Sequence, residues 1–455
     1  MPFDPTIAAI RFGSGLSPHF AKAVDPDAIL AELSRKPHFD IPAFKAARPS
    51  LTQLSDTAAA RREAVGTDQF AAKEAAAKAM RQAAAVTYDQ TMRVTIARFL
   101  DAPHGFAECL TDFWADHFTV IARNAAQRHL ISPYIEESVR PYIGGSFVEM
   151  LDAVMTDSLM LMYLQQIQST GPDSPRGQRL GRGLNENLAR ELLELHTLGV
   201  DGHYTQADVR ALAELLTGLT YNGKQGFFYN DSMAEPGAET VLGVTYDAAD
   251  GLSNIRAAIA DIALHPDTAR HLCLKIATYF IGSAPDAEMV AAMAGRYLET
   301  RGQLQPVYAA MFAHAAAWSR DLRQIKSPLL FVTSGLRALG VSGAQMMLSD
   351  RRAFRRVVIE PLRVMGQPWQ LPLGPDGWPD DGANWVTPQG VAGRINWAMT
   401  APQIMVAREL PDPRVFVQTA LGNLATQEVI FAASAAESKF EGVGVVLAAP
   451  AFQRS

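Results

Sequence analysis

The stretch Asn185–Val209, NENLARELLELHTLGVDGHYTQADV, gathers five acidic residues, Arg190 and two histidines around a glycine turn. At helical spacing, Leu184, Leu188, Leu192 and Leu195 form one apolar face, and Asn187, Glu191 and Glu194 fall on a second. Glu186 stands four residues before Arg190, the favourable order for a helix ion pair. Glu191 and Glu194 lie one turn apart, so their carboxylates can converge on a metal ion; without further ligands such a pair is an ordinary solvated helix face. The Glu-x-x-His signature of helical di-iron sites is missing.

A second polar feature sits in a core-like setting, CLTDFWADHFTV at Cys109–Val120. His117 follows Trp114 by three residues and Phe113 by four, which places it on or beside an aromatic face. A histidine there reads as a hydrogen-bonded core residue, and as a ligand only if it faces Glu191 and Glu194. The candidate polar site is His117, Asn185, Glu186, Asn187, Arg190, Glu191 and Glu194, with His117, Glu191 and Glu194 as candidate metal ligands. The residues name no cofactor and no reaction. The chain has no phosphate loop, dinucleotide glycine fingerprint, HExxH or nucleophile-elbow serine. Asp376, Asp380 and Asp381 lack the spacing and the distal Glu of a calcium loop.

The elements that must position these residues are helical. Gly199 is a left-handed cap candidate and Asp201-Gly202 a turn; Thr205 with Asp208 resembles a capping box. Val209, Leu212, Leu216 and Leu219 stripe the next helix, so the local unit is a helical hairpin. Residues 57–85, rich in alanine and charge, read as a solvated surface helix, with a partner-docking arm as the sharper alternative. Core helices are expected from about Tyr88 to Leu164, and Ser169–Gly183 reads as a long loop. GFFY and TVLGVTY predict one small β-hairpin between about Gly226 and Tyr246. Met365–Pro388 is too rich in Pro and Gly for regular structure, and its three tryptophans predict an ordered, packed loop. The expectation is a mainly α, multi-helix assembly of three regions in one unit: 1–168, 169–340 and 341–455.

Bulk properties narrow the function classes. At 48% hydrophobic residues the 455-residue chain can bury a large core. Acidic residues outnumber basic ones, 47 to 41, and no dense Lys/Arg stripe appears, which argues against nucleic acid as a partner. Cys109 and Cys273 read as buried free thiols. No apolar run reaches the ~18 residues needed to span a bilayer. MPFDPTIAAIRFGSG has neither the basic start nor the apolar core of a secretory signal, which points to the cytoplasm; export in complex with a signal-bearing partner is the alternative.

These stretches resemble, nearly end to end, the bacterial family called domain of unknown function 1800. RFGSGLSP (Arg11–Pro18) is similar to its start, FWADHF (Phe113–Phe118) to its FWxxHF signature, and NENLARELLELHTLGV with YTQADV and LTG to its most specific motif. HPDTARHLCLKIATYF, KSPLLFVTSGLRALG, PDGWPDDGANW and the closing APAFQRS follow in family order. The resemblance implies a mostly helical protein of unestablished activity. It also implies a partner, a co-encoded sulfatase-like protein of the domain of unknown function 1501 family. Against the family pattern, Ala234 stands where His is usual, Gln165 replaces an Asp, and His196 occupies a position often held by Phe. Two functional classes follow: a partner or assembly factor for the sulfatase-like protein, or an enzyme with a buried His/Glu/Asn/Arg site, metal-dependent if His117 meets the carboxylates.

Overall fold

Apolar residues recurring at three- and four-residue steps make nearly every long stretch of this chain a helix. The computed structural model describes all residues except Met1, Arg123, Arg182, 224–225, 248–249 and 407–408. Among the described residues the only sheets are two two-stranded antiparallel ribbons, so the fold is mainly α. One cluster of buried side chains runs from Ile7 to Phe452, drawing on all three sequence regions.

The alanine-rich stretch divides between two helices, Leu51–Glu63 and Phe70–Asp101, joined across by Arg61 and Glu74. Its solvated character holds through residue 85 apart from Ala64, Ala77 and Ala84. The same second helix then enters the core, where Met92, Ile96, Phe99 and Leu100 are buried. A turn at 102–105 leads into the helix Phe106–His117.

That turn is closed by two buried charges. The Glu32 carboxylate accepts four successive N–H groups, from His104 (3.0 Å), Gly105 (3.2 Å), Phe106 (2.8 Å) and Ala107 (3.4 Å). It therefore caps, from a distant segment, the positive end of the Phe106–His117 helix. Arg337 does the converse at the preceding helix: it donates to the carbonyls of Phe99 (3.3 Å), Leu100 (2.7 Å) and Pro103 (2.9 Å), and to Gly15 (3.1 Å). Gly105 has φ +86°, and a Cβ there would overlap Ser14, so this turn needs glycine.

Three local expectations change. The Asn185 motif begins as the helix Asn187–Glu191 but widens into a π-turn at Leu192–His196. The added residue rotates the phase: Leu188, Leu192, Leu193 and His196 are buried, while Leu184 and Leu195 are only partly so. Ser169–Gly183 is not all loop, because Ser174 accepts the N–H of Gly177 and Pro175 opens a short helix, Pro175–Leu180. Instead of one hairpin there are two: GFFY (Gly226–Tyr229) pairs upstream with Leu219–Asn222, and Glu239–Val241 pairs with Val244–Tyr246 across Leu242-Gly243. The Thr205–Asp208 capping box and the left-handed Gly199 are present as expected. Both cysteines are free and buried.

Glu32→Gln replaces an oxygen that accepts two N–H groups with a donor that accepts none. We expect a loss of about 3 kcal/mol of stability, against about 0.5 kcal/mol or less for the exposed Glu63→Gln. Denaturant midpoints measure both. Equal midpoints would mean that the capped turn does not hold the fold together.

Candidate functional site

The helix Phe106–His117 buries Cys109, Phe113 and Trp114 and carries Asp112 and Asp116, four residues apart, on a shared face. Both residues are partly buried and line two adjoining cavities. Asp112 accepts a hydrogen bond from the Tyr279 hydroxyl at 3.1 Å. Asp116 accepts the backbone N–H of Trp378 at 2.9 and 3.2 Å to its two oxygens.

Trp378 belongs to the Pro/Gly-rich loop, which is ordered because it is pinned at several points. Gln324 donates to the Asp380 carbonyl (3.0 Å) and accepts the N–H of Gly382 (3.1 Å); Lys275 pairs with Asp380 at 3.3 Å. Gly377, at φ +75°, passes so close to Asp116 that a Cβ would stand 2.6 Å from its Oδ1.

The first cavity has a volume of about 100 Å³, the second about 50 Å³. Two ion pairs wall the first, Arg98 with Glu136 and Arg140 with Glu108. Trp369 and Gln370 line it as well, and Trp369 Nε1 and Gln370 Oε1 are buried with no protein partner among the described residues. The second cavity adds Lys326, Ser334 and Arg11 to the two aspartates and Tyr279.

Burial dominates the electrostatics. It pushes Asp112 up to about 6, the Tyr279 hydrogen bond opposing. It holds Asp116 well above the usual carboxylate range, opposed by the Trp378 N–H and reinforced by the charge of Asp112. Neither aspartate has a cation within ion-pair distance among the described residues, so protonation is the route by which such groups avoid an unpaired buried charge. Asp112 is therefore suited to giving and taking protons in the mildly acidic range, with Asp116 displaced in the same direction.

The residues singled out from the sequence divide into separate groups. Arg190 bonds Glu186, Glu194 and Gln206, each at 3.1 Å, but its side chain is 37% exposed, so this ion-pair network lies at the surface. Asn185 instead faces inward: its Nδ2 donates to the Leu164 carbonyl, its N–H to Ser169 Oγ, and its Oδ1 accepts the N–H of Asn187. Burial, with the neighbouring charge of Glu194, raises the half-buried Glu191. His117 meets this segment only on its buried side, its Nε2 lying 3.2 Å from the His196 carbonyl. Among the described residues, no three of His, Cys, Asp and Glu gather to hold a metal ion, so the candidate ligands His117, Glu191 and Glu194 do not converge as a set.

A histidine cluster takes its place. His117 and His196 rings lie 5.7 Å apart, and His117 Nδ1, His196 Nδ1 and His271 Nε2 are buried with no protein partner among the described residues. Burial, with the charge of Lys275 adding to it, holds His117 well below the usual imidazole range and lowers His196 to about 3 and His271 to about 4. These rings are neutral core members.

Sequence reasoning read His117 in FWADHF and passed over Asp112 and Asp116. The signal was available: two carboxylates at i and i+4 on a helix that also carries two Phe, a Trp, a Leu and a Cys.

This architecture, a mainly helical unit with a carboxylate pair between two adjoining cavities, defines the class structurally. The chain belongs to the family described as protein of unknown function (DUF1800), whose model matches residues 7–454. No curated protein and no solved structure matches it.

The histidine cluster makes a prediction with a definite sign. Below about pH 6.5 the unfolded chain takes up protons on these imidazoles, whereas folded His196 does so only near pH 3. Stability is therefore unaffected by His196 above pH 6.5 and is lost as pH falls through that value. His196→Phe should raise stability at pH 5 by about 2 kcal/mol more than at pH 8. Equal effects at the two pH values would show that His196 is protonated in the fold.

Proposed function

We propose that the chain binds a small polar molecule in the first cavity and that Asp112 and Asp116 exchange protons with it. The observation that carries this reading is the convergence of two uncompensated carboxyl groups with an unpartnered donor, Trp369 Nε1, and an unpartnered acceptor, Gln370 Oε1, on one cavity. A buried polar group without a partner costs stability, so a molecule offering both an acceptor and a donor is favoured there. Hydroxyl- and amide-bearing compounds fit that requirement. The flanking Arg98–Glu136 and Arg140–Glu108 pairs are already neutralised, leaving the aspartates as the reactive charges of the wall.

A thermal-denaturation screen with small polyols, amides and hydroxy acids tests the reading. A binder at a hundredfold excess over its Kd should stabilise the parent by about 2.7 kcal/mol, and the gain should vanish in Asp112→Asn with Asp116→Asn. The reading fails if every compound acts equally on parent and double variant.

A second reading, that the protein is a partner of a co-encoded sulfatase-like protein, draws support from the Glu186–Arg190–Glu194 face. This part of the family's most specific motif forms a fixed, half-exposed charge pattern rather than a core. Co-expressed chains should elute as one complex, and Arg190→Glu should separate them while changing stability by about 1 kcal/mol or less. Separate elution of the unaltered chains would refute it.

A further inference from the structure

We infer that Lys326 is a nucleophilic amine that captures a small aldehyde or ketone in the second cavity, with the neighbouring carboxyl groups moving the protons. This rests on the reading of Asp112 and Asp116 as proton carriers and supplies that site with a substrate class.

Lys326 begins the KSPLL stretch and is almost fully buried. Its backbone is held in place from both sides: its N–H donates to the Gln453 carbonyl, and its own carbonyl accepts from Arg394 at 2.7 Å. Among the described residues the ammonium end has a single polar contact, Ser334 Oγ at 3.3 Å, and it lies over the Phe452 ring at 4.1 Å. No carboxylate lies within ion-pair distance of it among the described residues. Lys326 and Ser334 line the same cavity as Asp112, Asp116 and Tyr279.

A structural lysine buried this deeply is ordinarily matched by a carboxylate that keeps it charged. Here the aspartates share the cavity but pair elsewhere, with Tyr279 and the Trp378 N–H. Burial, with the charge of Arg394 adding to it, lowers Lys326 to about 7. Desolvation beside a second cation is one of the ways a lysine is turned into a nucleophile. The cavity is small, so the carbonyl compound has few heavy atoms.

The chemistry balances without an oxidant or reductant. The Lys326 Nζ lone pair forms a C–N bond to the carbonyl carbon while the C=O π bond breaks. The oxygen takes a proton from a protonated aspartic acid and the nitrogen returns one to the carboxylate, giving a carbinolamine. Loss of the hydroxyl as water, with a second proton delivered by the pair, leaves the iminium.

Acetaldehyde with sodium cyanoborohydride at pH 7, followed by peptide mapping, tests this. Lys326 should gain an N-ethyl group on the order of tenfold faster than the exposed Lys36 and Lys45. Asp112→Asn and Asp116→Asn should each slow that labelling without affecting the surface lysines. Labelling of Lys326 no faster than Lys36 overturns the inference, while the thermal screen still judges the aspartates separately. Fast labelling that is unchanged in both Asp variants keeps the lysine and overturns its coupling to the carboxyl pair. Lys326→Met, which retains the buried stem, identifies the labelled site and should abolish only the fast phase.

Discussion

Two opposite charges at one chain reversal hold the architecture that everything else uses. Glu32 collects the free N–H groups at the start of the Phe106–His117 helix, and Arg337 collects the free carbonyls at the end of the helix before it. Each meets the helix end whose dipole and unsatisfied groups suit its sign. Because Glu32 and Arg337 come from segments far apart in sequence, the same contacts fasten the N-terminal stretch and the Pro328–Ala338 helix to the turn. The direction of the Phe106–His117 helix, and with it the placement of Asp112 and Asp116, is set there.

From that helix outward, the interior divides into compensated and uncompensated charge. Arg98, Glu108, Glu136 and Arg140 neutralise one another, and Lys275 is bound to Asp380. Among the described residues, Asp112, Asp116 and Lys326 are left without ionic partners, and all three border the second cavity. A protein interior tolerates such groups by adjusting their protonation, carboxyls upward and amines downward. Those same adjustments move the acids toward holding protons and the amine toward holding a lone pair. The Pro/Gly loop closes the arrangement: its Trp378 N–H rests on Asp116, and its Asp380 and Gly382 are tied to Gln324.

Much of this was legible in the sequence and some was not, for identifiable reasons. Helical periodicity, the Thr205–Asp208 cap, the Glu186–Arg190 pair and the packed tryptophan loop are local features, and local spacing reveals them. The π-turn at Leu192–His196 is not visible to a 3.6-residue template, which put Leu195 inward and left His196 unassigned; the extra residue moved Leu193 and His196 into the core instead. The two hairpins were merged into one because GFFY finds its partner in Leu219–Asn222, a segment whose sequence also extends a helical stripe. Asp112 and Asp116 were overlooked beside the more conspicuous His117. Lys326 gave no local sign at all: KSPLL reads as a helix start, and its burial depends on the C-terminal segment laid against it.

The central claim is that Asp112 and Asp116 form a carboxyl pair that keeps protons where ordinary aspartates have lost them. Carboxyl-carbon NMR titration of protein labelled at aspartate, with Asp112→Asn and Asp116→Asn used for assignment, measures this directly. The account predicts that Asp112 titrates near pH 6 and Asp116 well above the usual carboxylate range. Two resonances titrating near pH 4, as exposed aspartates do, would contradict it.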